Sequence, residues 1–108
     1  MTEQEELIFG LKRWIYKALN YFNALSFEDF INDELHFDAV SYCIEVISEI
    51  SNKILKFNEI ITKYKDVDFI LLSKIKENIY HEDNINLSMY NDYLIKYFPL
   101  ALKGLMVE

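Results

Sequence analysis

Residues 37–57 read FDAVSYCIEVISEISNKILKF and carry the most regular apolar pattern in the chain. Apolar side chains recur there every three or four residues, which is the spacing of one face of an α-helix. The members of this face are Phe37, Val40, Ile44, Ile47, Ile50 or Ser51, Ile54 and Phe57. Charged and amide side chains occupy the opposite face. The stretch therefore predicts a long amphipathic helix, with a periodicity that extends toward residues 60 and 61.

The same periodicity predicts helices before this stretch. A long helix covers residues 7–25, with Thr2 or a neighbour as its cap and three glutamates in its first turn. Ser26 begins a capping-box pattern and opens a short helix that reaches about Asn32. Asp33 then stands where it can cap the central helix.

Two more helices are predicted after the central one. Residues 64–68 are polar and predict a loop, and a fourth helix follows from about Asp68 to about His81. Asn84 is expected to end this helix in a left-handed conformation. A fifth helix follows a cap at residues 86–88, contributed by Asn86 or Ser88, and Pro99 inside it should kink it.

The fold class expected from these segments is all-α, an up-down four-helix bundle with an additional short helix. A length of 108 residues predicts a single domain, residues 1–108. The chain has only 2 Gly and 1 Pro, too few for the turns of a β-sandwich or barrel. Hydrophobic residues make up 52% of the chain, a surplus from which we expect a homodimer.

Charge and cysteine content narrow the classes of function. The net charge of −7 argues against DNA binding by bulk electrostatics, and any RNA contact would have to be local. Cys43 is the single cysteine, and its place in an apolar helical stripe predicts a small buried hydrophobe. One cysteine and two histidines make a zinc site improbable, and we expect neither metal nor cofactor. No signal peptide and no membrane span are visible, so we expect a cytoplasmic protein.

His81 is the first candidate for chemistry, although a lone histidine at a helix end is most often a solvated cap. With the cation of Lys76 near a phosphodiester, it could move protons while the lysine stabilises the extra charge on phosphorus. Asn78 and Tyr80 lie between the two. On a straight helix the two side chains would point about 140° apart. A twofold dimer could still bring two copies of this pair to one cleft.

Other candidates have equally plain structural interpretations. Glu49 lies on the polar face of the central helix, where an i,i+4 pair with Lys53 is the ordinary expectation. The alternative role for Glu49 is to orient His81 or Lys76. His36 is expected at the surface. The tyrosines at positions 90, 93 and 97 follow helical spacing and favour a core edge or an interface over a stacking platform for bases.

Taken in order, these segments resemble a known family. The chain is similar to the HepT-like branch of the HEPN superfamily, small helical proteins paired with minimal nucleotidyltransferases. The likeness covers most of the chain and rests on SFEDF at 26–30, IEVISEI at 44–50 with Glu49, Phe69 in place of a usual tryptophan, KENIYH at 76–81, and YFPL at 97–100. KENIYH stands on the family's R-N-x-x-x-H motif.

The sequence departs from the family within that motif. The catalytic arginine is Lys76 here, the asparagine that follows it is Glu77, with Asn78 next to it, and the glycine and alanine that flank the family's glutamate are replaced. In some members the partner adds AMP to a tyrosine two residues after the histidine, which is Asp83 in this chain. Whether Tyr80 takes that role stays open.

The resemblance implies a homodimer with a composite cleft and a nucleotidyltransferase antitoxin as partner. Active members are metal-independent ribonuclease toxins, in which His81 would be the acid or base and Lys76 the electrostatic stabiliser. Lysine lacks the planar fork with which arginine grips a phosphate, and Glu77 adds a negative charge beside it. Two functions therefore remain open, a ribonuclease and a catalytically inactive binding module, with an unrelated helical bundle as the third interpretation.

Overall fold

The computed structural model describes residues 1–23 and 25–106. Position 24, inside the first predicted helix, and positions 107 and 108 of the predicted domain lie outside the described residues. In chain order the elements are α1 (Glu3–Asn23), α2 (Phe27–Ile31), α3 (Glu34–Ile54), α4 (Asn58–Lys63), α5 (Phe69–Ser73), α6 (Ile75–Ile79), β1 (Tyr80–His81), β2 (Asn84–Ile85), α7 (Leu87–Asp92), a π-helical turn (Tyr93–Tyr97) and α8 (Phe98–Leu105). The predicted all-α class is confirmed, since the two strands are two residues each.

The two long helices, α1 and α3, are antiparallel and form the framework of the fold. Near the middle of α1, the Trp14 ring meets Tyr42 edge-on with 5.6 Å between centroids. Gly10, earlier on α1, lies against Ile50, later on α3. The side chains on the shared face of this pair are almost fully buried, and they form the centre of the hydrophobic core.

Local capping signals place the helix starts where the sequence predicts them. Thr2 Oγ1 accepts the Glu5 N–H at 3.2 Å, and Glu5 Oε1 accepts the Thr2 N–H at 3.1 Å, which is a complete capping box. The predicted caps at the start of later helices are also confirmed: Ser26 for α2, Asp33 for α3 and Asn86 for α7. Asp68 caps α5 in the same way.

The predicted fourth helix is wrong in its extent. It breaks at Lys74, between α5 and α6, and it ends at Ile79, before His81. The chain then forms a hairpin in which His81 pairs with Asn84. Asn84 is therefore strand, not a left-handed stop, and the residue with positive φ is Glu82, at 35°.

The predicted fifth helix is interrupted as well, by a π-helical turn just before Pro99. Proline has no N–H and its ring crowds the carbonyl four residues earlier, so a regular α-helical turn cannot run through it. The wider turn ends with the Phe98 N–H bonded to the Tyr93 carbonyl, and Pro99 then falls in the first turn of α8. There the missing N–H leaves no helical bond unmade. The kink expected from Pro99 thus takes the form of a π-helical turn.

The tyrosines of this segment belong mainly to the core. Tyr90 and Tyr93 are fully buried, and Tyr97 is half-buried with its ring 5.1 Å from that of Tyr93. Cys43 is buried too, as expected, and burial raises the pKa of its thiol. Among the described residues, no helix is long and apolar enough to cross a membrane.

Candidate functional site

The sequence-predicted residues lie on three elements. Glu49 is exposed on α3, Lys76 is exposed on α6, and His81 is exposed on β1. Asn78 and Tyr80, between the two motif residues, are half-buried. Because the helix ends between Lys76 and His81, the angle between their side chains is not the one expected for a straight helix.

The segment that carries the motif runs antiparallel to α3. At its start, Ser48 Oγ donates a hydrogen bond of 2.9 Å to the Ser73 carbonyl. At its end, Tyr80 lies near Ser41 and Glu45, which come earlier on α3. Burial raises the pKa of the Tyr80 hydroxyl, the Ser41 hydroxyl opposes this shift, and the carboxylate of Glu45 adds to it. The phenol of Tyr80 is thus turned toward α3, which makes it a poor acceptor for a transferred group.

Asn78 has an internal partner. Its side-chain amide donates a hydrogen bond of 2.9 Å to the Tyr93 hydroxyl, which in turn donates to the Leu71 carbonyl at 2.9 Å. Burial raises the pKa of Tyr93, and the hydrogen bond from Asn78 opposes that shift. Asn78 therefore stabilises the junction of α5 and α6, and its amide points away from solvent.

The two residues expected to do chemistry have no side-chain partner. Among the described residues, neither Lys76 nor His81 makes a side-chain hydrogen bond or an ion pair. His81 contributes its backbone to the hairpin, next to the positive φ of Glu82. No side chain among the described residues therefore fixes the orientation or the tautomer of the imidazole, which general acid–base catalysis requires.

Glu49 is also free of the pairing expected for it. No ion pair joins Glu49 to Lys53, both of which the structure describes. Ser48, the neighbour of Glu49, is buried, as are Ile47 and Ser51 in the same stretch of α3. Glu49 thus presents its carboxylate to solvent on the outer face of α3.

The remaining titratable groups do not form a metal centre. Within residues 1–23 and 25–106, no three His, Cys, Asp or Glu side chains are grouped to hold a metal ion. His36 is half-buried, not fully at the surface as expected, and its Nδ1 lies 3.0 Å from Asp33 Oδ2. The backbone N–H of His36, and then its side chain, lower the pKa of Asp33 by hydrogen bonding.

The sequence analysis did not predict two features of the structure. One is the set of hydroxyl groups, from Ser48 and Tyr93, that binds the carbonyls at the break between α5 and α6. The other is a cleft of about 420 Å³ between α1 and α4, whose lining includes none of the motif residues 76–81. Neither has a local sequence signal, because both form between segments that are distant along the chain.

Comparison of this chain with family models, with curated proteins and with solved structures gives no match in any of the three.

Proposed function

We propose that the chain is a HepT-like protein of the HEPN type that acts by binding a minimal nucleotidyltransferase and does not itself cleave RNA. In this proposal the protein is a homodimer of up-down helical bundles, in which the predicted fourth and fifth helices are each interrupted. It works in the cytoplasm as one half of a toxin–antitoxin pair. The motif-like segments at residues 26–30, 44–50 and 76–81 support this assignment.

An exposed apolar cleft between α5 and α8 is the observation that carries the binding role. The cleft has a volume of about 230 Å³, and its lining includes Leu71, Leu72, Tyr97 and Leu100. Leu100 is 56% exposed, and Ile70, the residue before Leu71 on α5, is 59% exposed. Large apolar side chains around a concave surface are typical of a protein–protein contact.

The environment of His81 argues against catalysis by the protomer. A proton-transfer group acts efficiently when it is held in position, and a cation stabilises a phosphoryl transition state best where water is excluded. His81 and Lys76 are both exposed, and no side chain described in the protomer orients either one. Lysine at position 76, where the family motif has arginine, weakens phosphate binding further.

Co-expression with a minimal nucleotidyltransferase encoded next to this gene tests the binding role. We expect one complex in size-exclusion chromatography with light scattering, and we expect Leu100→Glu to abolish it. Leu35→Glu is the matched control, since Leu35 is 77% exposed on a different helix. Absence of a complex for the unaltered chain would refute the proposal, whereas equal loss in both variants would remove the cleft from it.

A ribonuclease is the second candidate, and one observation favours it. Lys76 and His81 are solvent-accessible and have no side-chain partner in residues 1–23 and 25–106, so a second copy could complete a cleft around them. The test is cleavage of a fluorescent single-stranded RNA in EDTA by the wild type, His81→Ala, Lys76→Ala and the control Lys74→Ala. Cleavage that is lost in the first two variants and kept in the control would establish this function in place of the first.

A further inference from the structure

The chain between α3 and α5 has little support from the rest of the fold. It consists of α4 and two turns, at residues 55–57 and 64–67, all of which the structure describes. Only Ile60, Tyr64 and Val67 of this segment are buried. Every other α-helix in residues 1–23 and 25–106 packs extensively against a further element, whereas α4 makes only sparse contacts. A segment with few buried apolar contacts opens at a low cost in free energy.

The backbone hydrogen bonds of this segment are all local. The turn at residues 55–57 binds carbonyls at the end of α3, and the N–H groups of Ile61 and Tyr64 bind carbonyls four positions earlier. In the described part of the chain, no backbone hydrogen bond joins residues 55–67 to α1 or α8. The segment can therefore leave α1 without breaking a backbone hydrogen bond to it.

A single side-chain hydrogen bond ties α4 to another described element. The Gln4 amide on α1 donates it to Glu59 at 2.6 Å, in an exposed position. Electrostatic attraction adds little, because the pKa of Glu5 is lowered mainly by hydrogen bonding to Thr2 and least by the charge of Lys63. Water competes for an exposed hydrogen bond, so the net contribution of this bond to holding α4 in place is small.

The space between α4 and α1 shows that the two helices do not pack closely. The cleft of about 420 Å³ has Ile8 and Phe9 in its α1 wall, and Ile60 and Tyr64 in the opposite wall. Side chains that face a gap lose the dispersion contacts that close packing would provide. The gap therefore lowers the cost of moving α4 away from α1.

Both ends of the segment are held more firmly than its middle. Ile54, where α3 ends, is fully buried. A Cβ at Gly104 on α8 would lie 2.7 Å from Val67 Cγ2, so the chain at residue 67 lies directly against that helix. A weakly held middle between two fixed ends is the geometry of a flap.

We propose that residues 55–66 form a flap that opens away from α1 while the rest of the protein stays folded. A helix of six residues is not stable alone in water, so α4 melts when it leaves α1. Opening uncovers Ile60 and Tyr64 beside Phe9, which is already 58% exposed. The inference does not depend on the function proposed above.

Native-state hydrogen exchange of the ¹⁵N-labelled full chain tests the flap. After correction for intrinsic rates, the amides of Ile61 and Tyr64 should exchange about tenfold faster, or more, than the amide of Leu72. Leu72 is the matched control, because its amide is hydrogen-bonded at the start of α5, a helix no longer than α4 that packs on α3. Urea below the unfolding transition should leave the flap rates nearly unchanged. Equal protection of the flap and of Leu72, or exchange of the flap only through global unfolding, would overturn the proposal.

The hydrogen bond between Gln4 and Glu59 provides a second test. Gln4→Ala should speed exchange of the flap amides by about threefold to tenfold, as expected for the loss of one exposed hydrogen bond, and it should leave Leu72 unchanged. Glu3→Ala is the control, because Glu3 is exposed on the same turn of α1 and its side chain makes no hydrogen bond to a described residue. Equal effects of the two substitutions, or an equal effect at Leu72, would contradict the flap.

Thiol labelling measures whether opening uncovers the inner side of α4. The thiol of Ile60→Cys should react with a soluble thiol reagent about tenfold faster, or more, than Cys43. Cys43 is the internal control, since it is 1% exposed on α3 and is reached only when the core opens. Similar rates for the two thiols would show that position 60 is uncovered only by global unfolding, which would refute the flap.

Discussion

The hydroxyl of Tyr93 lies 2.9 Å from the carbonyl oxygen of Leu71, at the point where α5 gives way to α6. In a continuous helix this carbonyl would accept the N–H four residues later, from Ile75. At the break the Leu71 carbonyl instead accepts the Lys74 N–H at a longer 3.3 Å, and Tyr93 supplies a second, closer donor from the π-helical turn. Asn78 completes the arrangement by donating to the same hydroxyl at 2.9 Å. The broken helix is therefore stabilised by a side chain 22 positions away.

Tyr93→Phe tests this relationship. The substitution keeps the buried ring but leaves the Asn78 amide without a partner and the Leu71 carbonyl with only the longer bond from the Lys74 N–H, so the free energy of unfolding should fall by about 1–3 kcal/mol. Urea denaturation followed by circular dichroism measures the change. Tyr97→Phe is the matched control, because the half-buried Tyr97 makes no hydrogen bond to a described residue, and it should change stability by less than about 0.5 kcal/mol. Equal effects of the two substitutions would contradict the proposed role of Tyr93.

The two glycines predict opposite responses to alanine. A Cβ at Gly104 would lie 2.7 Å from Val67 Cγ2 and 3.3 Å from the Asp66 carbonyl oxygen, so α8 and the loop of residues 64–68 would have to separate. Gly104→Ala should therefore lower the melting temperature, despite the better helix propensity of alanine. A Cβ at Gly10 would meet only Ile50, at an ordinary 3.4 Å, and Gly10→Ala should stabilise α1 by up to about 1 kcal/mol.

Calorimetry of both glycine variants beside the wild type distinguishes packing from propensity. If Gly104→Ala raised the melting temperature as much as Gly10→Ala, close packing of α8 on the loop would not be the reason for Gly104.

Local signals explain what the sequence predicts well. Thr2, Ser26, Asp33 and Asn86 each bind a backbone N–H three residues away, so a few adjacent residues are enough to predict their effect. Apolar periodicity likewise predicts the long central helix, with Val40, Ile44 and Ile47 inward. It is wrong about the end of that helix, because α3 ends at Ile54, before Phe57, and a separate helix α4 follows.

The break at Lys74 could not be predicted in the same way. The apolar spacing of Phe69, Leu72 and Ile75 is compatible with an uninterrupted helix. The donors that stabilise the break come from Ser48, on α3, and from Tyr93, so the interruption is decided by tertiary contacts. His81 lies on a strand because α6 ends at Ile79 and the chain then pairs with itself across the hairpin, His81 with Asn84. The sequence therefore predicts which residues are candidates for the site, but it does not predict their positions relative to one another.

The hairpin after His81 predicts a stabilising substitution. Glu82 has a φ of 35° in the two-residue loop between His81 and Asn84, a conformation that glycine adopts without steric cost. Glu82→Gly should therefore raise the free energy of unfolding, by up to about 1 kcal/mol after the extra entropy of glycine in the unfolded chain is counted. Asp83→Gly is the control, since Asp83 has no positive φ, and it should destabilise the protein slightly. Chemical denaturation of both variants provides the comparison, and a loss of stability in Glu82→Gly would show that the loop carries no strain.

Two buried serines on α3 should respond in opposite directions to the loss of their hydroxyl groups. Ser51 is fully buried and its Oγ has no hydrogen-bond partner among the described residues, so Ser51→Ala removes an uncompensated polar group and should stabilise the fold by about 1 kcal/mol. Ser48 Oγ, by contrast, satisfies the Ser73 carbonyl at the end of α5, and Ser48→Ala should cost about 1–2 kcal/mol. Urea denaturation measures the change in the free energy of unfolding for each variant, from the shift of its midpoint. The denaturant slope of each variant should equal that of the wild type, since a changed slope would mean that compactness had changed as well. Because both substitutions delete one oxygen from the same helix, helix propensity and lost volume act alike in each. A destabilised Ser51→Ala variant would mean that this hydroxyl has a partner in solution, whereas a neutral Ser48→Ala variant would mean that the end of α5 does not need one.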